Sequence, residues 1–191
     1  MATAVILAGG NSRRMGRDKL NLMVSGSTLL ESVVSRFQNE FEHIFLSVSD
    51  LTKYPDISIP RIVDISPGAG PISGLHAALS TLSAHGVFLI AADLPFADAA
   101  CARRIIELSD GYDACIIKLP NGNLEPLFGY YSAALLPRCE ELITGGDFRM
   151  SSLFSENRVR FVSPDELGDA WNESIITNIN YPEDYERLAQ K

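Results

Sequence analysis

The most chemically loaded stretch of the chain runs Leu7-Ala8-Gly9-Gly10-Asn11-Ser12-Arg13-Arg14-Met15-Gly16-Arg17-Asp18-Lys19. Two glycines close a short apolar run, and Arg13, Arg14, Arg17 and Lys19 then crowd together against the single acid Asp18. Glycine has no Cβ, so backbone N–H groups at Gly9 and Gly10 can converge on a phosphate, with Leu7 and Ala8 leading into the turn. Arg14 and Lys19 can supply the positive charge that a polyphosphate requires. An ordinary strand-to-helix turn followed by a solvated basic face is the competing reading. Neither the Rossmann spacing G-x-G-x-x-G nor the Walker spacing G-x-x-x-x-G-K-[ST] is present, which demotes dehydrogenases and P-loop NTPases.

Carboxylates come next. Ala91-Ala92-Asp93-Leu94-Pro95 ends another apolar run on an acid. A hard cation such as Mg²⁺ needs only one or two carboxylates when phosphates and waters complete its octahedron, so Asp93 is the natural metal ligand. Its alternative role is to cap the following helix. Asp64 precedes Ser66-Pro67-Gly68-Ala69-Gly70-Pro71-Ile72-Ser73-Gly74, a loop whose rigid, closely approaching backbone can line a base or ribose pocket. The histidines His43, His76 and His85 are scattered without metal-ligand spacing and read as structural. Ser12 sits in no G-x-S-x-G elbow, so serine-hydrolase chemistry is unsupported. Trp171 reads as a packing anchor.

These groups must be positioned by the elements around them. Residues 4–8, 44–48 and 87–92 are short, unbroken apolar runs, the pattern of strands buried on both faces of a parallel sheet. Between them the period is helical. Thr28-Leu29-Leu30-Glu31 offers a capping box ahead of a stripe through Leu29, Leu30, Val33, Val34, Phe37 and Phe41. Pro71 can open a second helix carrying Ile72, Leu75, Leu79 and Leu82, and a third spans about 98–109 with Cys101, Ile105 and Leu108. Further on, 113–118, 124–131 and 158–162 read as strands, 133–143 and 182–190 as helices, and 145–147 and 163–165 as loops. The expected fold is a doubly wound, mostly parallel α/β sheet of Rossmann-like type in a single domain, 1–191. Its ligands belong outside the carboxyl ends of the strands, after residues 8, 48, 64 and 92.

Composition narrows the partners. The formal charge is −8, which disfavours nucleic acid as a polymer and anionic membranes alike. With 46% hydrophobic residues over 191 positions, there is ample material for a core. Cys101, Cys115 and Cys139 form an odd, widely spaced set that fits reduced thiols packed in a core. No basic leader precedes the first strand, and no apolar run approaches the length of a membrane span, so a cytoplasmic location is expected.

Taken together, the opening segment through Asp18-Lys19, Gly70-Pro71-Ile72-Ser73-Gly74, Asp93-Leu94-Pro95 and the late Asn178-Ile179-Asn180-Tyr181-Pro182-Glu183-Asp184 resemble the molybdenum cofactor guanylyltransferases. That family lies within the nucleotidyltransferase superfamily that includes sugar-nucleotide pyrophosphorylases, and its fold is of the nucleotide-diphospho-sugar transferase type. The resemblance implies that GTP and molybdenum-bound molybdopterin react to give the guanine dinucleotide cofactor and pyrophosphate. By the same resemblance Leu7, Ala8 and Gly9 contact the nucleotide, Lys19 its phosphates, Asp64 the nucleoside, and Asp93 both GTP and Mg²⁺. The resemblance also implies a nucleotide-binding half of about 1–110 and an acceptor-binding half of about 111–191, where Glu125-Pro126-Leu127, Arg149 and Asn180 are candidates to line the pterin site, with a surface charge as the competing reading of Arg149. Molybdenum-cofactor insertion proteins are implied downstream partners. One departure concerns Ser47, where the guanylyltransferases usually place Asn. A cytidylyltransferase, a sugar-phosphate nucleotidyltransferase and a non-catalytic nucleotide-binding regulatory domain are the alternatives.

Overall fold

A computed structural model describes residues 3–9, 18–24, 26–66, 68–179 and 184. In chain order these form β1 (Thr3–Leu7), β2 (Met23–Val24), β3 (Ser27–Thr28), α1 (Leu29–Phe37), β4 (His43–Val48), β5 (Arg61–Val63), α2 (Pro71–Thr81) and β6 (Gly86–Ala91). They continue as α3 (Ala99–Glu107), β7 (Ala114–Lys118), β8 (Leu124–Ser132), α4 (Leu136–Thr144), β9 (Val159–Val162) and α5 (Pro164–Leu167). Short 3₁₀ turns fill several of the gaps.

Seven strands make one sheet in the order β5-β4-β1-β6-β8-β7-β9. All run parallel except β8, which pairs antiparallel with both β6 and β7. The unbroken apolar runs follow from this burial. Successive side chains of a strand face opposite sides. Accordingly, Ala4, Ile6, Phe88 and Ile90 pack with α1 and α3 on one side, while Val5, Val87 and Leu89 pack with α2 and α4 on the other. Phe88 and Phe128 meet edge to face at 5.0 Å between ring centres in the first of these layers.

Local chemistry sets the helix starts. Thr28 Oγ1 accepts from the Glu31 N–H at 3.1 Å while the Glu31 carboxylate accepts from the Thr28 N–H at 2.6 Å, completing the expected capping box. The apolar stripe outlasts α1, with Phe41 buried in the turn beyond it. Helix α2 opens at Pro71 as expected. Two expectations change. Residues 163–165 belong to a helix start: Ser163 and Glu166 form a second capping box, and Pro164 takes the first turn of α5, where its missing N–H costs nothing. The 133–143 segment begins as a 3₁₀ turn, Ala133–Leu135, before α4. The expected helix over 182–190 falls outside the described residues apart from Asp184. Among the described residues, no helix is long and apolar enough to cross a membrane.

Cys101, Cys115 and Cys139 are buried free thiols, and burial pushes each up to about 12. They are core residues, as their spacing suggested.

Candidate active site

Parallel register brings the candidate residues to one edge. The ladder continues past the strand ends: the Ala8 N–H donates to the Ser47 carbonyl at 2.9 Å, Asp64 N–H to Val48 at 2.9 Å, and Ala92 N–H to Leu7 at 3.2 Å. Leu7, Ala8, Gly9, Asp64 and Asp93 therefore all emerge at the carboxyl edge, where an α/β sheet holds its ligands.

At that edge the backbone is packed against Asp64. A Cβ on Gly9 would lie 2.5 Å from Asp64 Oδ2, and one on Gly74 would lie 2.6 Å from both Leu7 Cδ2 and Ser47 Oγ. Any side chain at either place would make a neighbouring side chain shift, so glycine suits both by close approach. Ser47, 1% exposed, donates its hydroxyl proton to Asp64 Oδ1 at 2.7 Å. Burial pushes the Asp64 carboxyl above its ordinary range, and the Ser47 hydroxyl opposes that by bonding the ionised form. Ser47 thus reaches Asp64, a role its sequence position alone did not reveal.

Lys19 opens a 3₁₀ turn capped by Asp18, whose Oδ1 accepts from the Leu20 N–H at 3.1 Å. Its ammonium reaches Asp93 Oδ2 at 2.6 Å, both side chains being 22% exposed. Two groups 74 residues apart in sequence are thereby joined in one partly exposed, charge-assisted bond. Arg14 and Gly10 lie outside the described residues, as does Asn180. The residue before Asn180 is informative: the Ile179 N–H donates to the Asp93 carbonyl at 3.1 Å, so the late motif is tied to the same edge.

Glu125, on the antiparallel strand β8, also comes near this edge. β8 pairs with β6 as far as Ile90 opposite Phe128, and Glu125 lies beyond that pairing, near enough to Asp93 to feel its charge. Against β7 the register jumps from Ile116–Gly129 to Ile117–Glu125, leaving residues 126–128 bulged out. Bulges recur beside active sites because they re-aim side chains. Here Glu125 accepts from the Leu127 N–H at 3.0 Å. Its carboxyl is raised mainly by burial, with a smaller contribution from the charge on Asp93. Arg149 is placed differently. Its side chain stands 76% exposed, and its guanidinium makes a two-bond pair with Asp147 at 2.9 and 2.7 Å.

The histidines stay out of the site, and no group of three or more His, Cys, Asp or Glu able to hold a metal occurs among the described residues. Trp171 packs partly buried against the core, as expected of an anchor. Sequence reasoning missed Tyr54, whose hydroxyl donates to Asp18 Oδ2 at 2.6 Å. No motif could have announced it, since the contact joins a loop after β4 to the turn before β2.

One edge of the sheet thus gathers a lysine, two carboxylates and a close-approach glycine beyond its strand ends. A family model described as the MobA-like NTP transferase domain matches residues 4–161, and the chain belongs to that family. It is 32% identical over 184 residues to a probable molybdenum cofactor guanylyltransferase of Pelotomaculum thermopropionicum, covering 96% of this chain and 89% of the relative. It is 29% identical over 189 residues to one of Carboxydothermus hydrogenoformans, covering 98% and 95%. Among solved structures, molybdopterin-guanine dinucleotide biosynthesis protein A of Archaeoglobus fulgidus superposes with a TM-score of 0.84 at 25% identity, over 98% of this chain and 97% of that one.

Proposed function

We propose that the protein transfers GMP from GTP to the terminal phosphate of molybdenum-bound molybdopterin, forming the guanine dinucleotide cofactor and releasing pyrophosphate. The observation that carries this reading is the 2.6 Å Lys19–Asp93 pair at the strand-end edge that also holds Asp64, in a chain of this family. The acceptor phosphate is already ionised at neutral pH, so no general base is needed. Its oxygen attacks the α-phosphorus of GTP, the bond to the bridging oxygen breaks, and pyrophosphate leaves in line. Catalysis then reduces to positioning and to charge balance around the reacting phosphorus.

Lys19 and Arg14 provide that charge. Leu7, Ala8, Gly9 and Gly10 line the nucleotide, and Asp64 accepts hydrogen bonds from the nucleoside. Asp93 also fits a divalent cation, and we assign Mg²⁺ to it. The protein offers a part-exposed carboxylate with Glu125 close by and no larger ligand cage among the described residues, which is the donor set Mg²⁺ takes when phosphates and waters supply the rest. Bound there, the cation would withdraw negative charge from the phosphates. Lys19 exchanges Asp93 for the phosphates as substrate arrives.

Arg149 and Asn180 are the acceptor-binding residues in this reading. The Arg149–Asp147 pair is exposed, so the guanidinium can change partners at little cost. The product passes to proteins that insert the finished cofactor.

Thermal melting against GTP, CTP, UTP and ATP with Mg²⁺ tests the nucleotide, because a ligand at 100 times its Kd adds ~2.7 kcal/mol of stability. Selective stabilisation by GTP, followed by pyrophosphate release on adding molybdenum-bound molybdopterin, is the expected outcome. Preference for CTP would make the protein a cytidylyltransferase, and GTP binding without pyrophosphate release would make it a regulatory nucleotide binder.

A further inference from the structure

Tyr54 lies in the loop between β4 and β5, 7% exposed, with φ at +53°. A bulky side chain adopts that left-handed backbone only where its surroundings hold it. Arg61 does the holding. Its guanidinium donates to the carbonyls of Tyr54 and, at 3.0 Å, Ile57, and its Nε to that of Lys53 at 3.3 Å. The ring packs into the core layer shared with α1, and the hydroxyl emerges at the site edge.

That hydroxyl stands where the chain leaves β1 and where it returns to the Lys19 turn. It donates to Asp18 Oδ2 at 2.6 Å and approaches the Ala8 carbonyl at 3.4 Å. One proton serves two acceptors, and the carboxylate at shorter range takes the larger share. The other oxygen of Asp18 caps the turn that begins at Lys19. A phenylalanine would fill the same core space, so packing alone does not account for a hydroxyl here. Buried polar groups are hydrogen-bonded in native proteins, and the partner here is Asp18.

We propose that Tyr54 is the positioning residue of the phosphate-binding lysine: its hydroxyl, by fixing Asp18 against the end of β1, sets where the Lys19 ammonium stands. The proposal rests on the reading of Lys19 as the group that holds the GTP phosphates. Burial and the neighbouring Asp18 carboxylate both push the Tyr54 phenol above its ordinary value, so it stays a neutral donor at physiological pH.

The test measures GTP affinity by titration calorimetry in the wild type, Tyr54→Phe, Lys19→Met and the double variant, together with the two KM values wherever turnover remains. Tyr54→Phe should weaken GTP roughly ten-fold, the scale of a hydrogen bond to a charged group, and leave the KM for molybdopterin unchanged. In the Lys19→Met background the same substitution should have no further effect, because a group acting through another is silent once that other is gone. An unchanged GTP affinity in Tyr54→Phe, or an equal loss in both backgrounds, overturns the proposal while leaving the Lys19 reading intact. A Lys19→Met protein that binds GTP normally overturns both. Asp18→Asn, which keeps the ring and the capping oxygen, provides the second variant should Tyr54→Phe melt early, and it must reproduce the selective loss of GTP affinity.

Discussion

The two halves of the sheet place their functional groups by different means. In the half we propose to bind the nucleotide, β5, β4, β1 and β6 run parallel, and Leu7, Gly9, Asp64 and Asp93 stand at one edge because the ladder continues through Ala8, Asp64 and Ala92. In the half we propose to bind the acceptor, β8 runs the other way, a bulge interrupts its pairing with β7, and Arg149 follows a turn after α4. The nucleotide half positions by strand register, which is hard to deform. Its counterpart positions by bulge and loop, which can adjust more readily. Substitutions should therefore act sharply in the first half and softly in the second.

The largest effect is expected at the Lys19–Asp93 pair. Replacing either residue by alanine should lower pyrophosphate release by at least ~10²-fold, the scale on which one preorganised charge-stabilising group contributes. Both side chains are partly exposed, so circular dichroism and melting should show a retained fold. Near-normal turnover in either folded variant would remove the pair from the site.

Gly9→Ala probes the same half through packing. Its new Cβ must displace Asp64 Oδ2 from 2.5 Å, and Asp64 is held from the other side by Ser47. Overpacking of this kind costs about 1–3 kcal/mol, or roughly 2–12 °C in Tm for a chain of this size, with GTP binding weakened alongside. Unchanged melting and affinity would mean that Asp64 swings aside freely, and the contrast in stiffness between the halves would disappear.

How far the sequence carried this comparison follows from the same difference. Strands β1, β4 and β6 were legible because burial on both faces writes an unbroken apolar run, and a register of parallel strands then places Asp64 and Asp93 without further information. The capping box at Thr28 and Glu31 was legible because it is a contact between near neighbours. Glu125 was reached only through a family resemblance, since its position depends on a bulge with no local signature. Ser47 and Tyr54 show the limit more clearly. Ser47 was singled out only because the resembled family usually places Asn there, whereas its hydroxyl is spent on Asp64, and the Tyr54–Asp18 contact depends on a loop locked by Arg61. Contacts between loops are fixed by tertiary packing, and no periodicity encodes them. Ser163 erred the other way: a Ser-Pro-Asp triplet read as a loop begins a helix because Glu166 completes its cap.

Ser47→Ala gives a pH-dependent test. Burial raises the folded-state pKa of Asp64 above the usual 3.8. Between those two values the folded chain retains a proton that the unfolded chain has released, so stability falls as pH rises through that window and is level above it. The Ser47 hydroxyl restrains the shift, and removing it should widen the window upward. The variant should lose more Tm than the wild type on going from acid to neutral pH. The acid limb of its GTP affinity, which needs Asp64 ionised, should move to higher pH. Superimposable pH profiles would show that Ser47 does not govern the carboxylate.

The smallest effect is expected at Arg149, in the half that positions by loops. Bonds from its guanidinium hold the Asp147 carboxyl well below the usual carboxylate range, and Ser152 adds a further bond to the same acid. Asp147 therefore keeps a partner when Arg149 is gone, and the exposed pair contributes little to stability. Arg149→Ala should leave Tm and the KM for GTP where they are. If the guanidinium turns to the acceptor phosphate during catalysis, the KM for molybdopterin should rise roughly two- to five-fold, the range of an exposed ion pair. An equal rise in both KM values would instead show that the turn after α4 braces the nucleotide half, and the division of labour between register and loop would have to be redrawn. An unchanged acceptor KM would reduce Arg149 to a surface charge neutralised by Asp147.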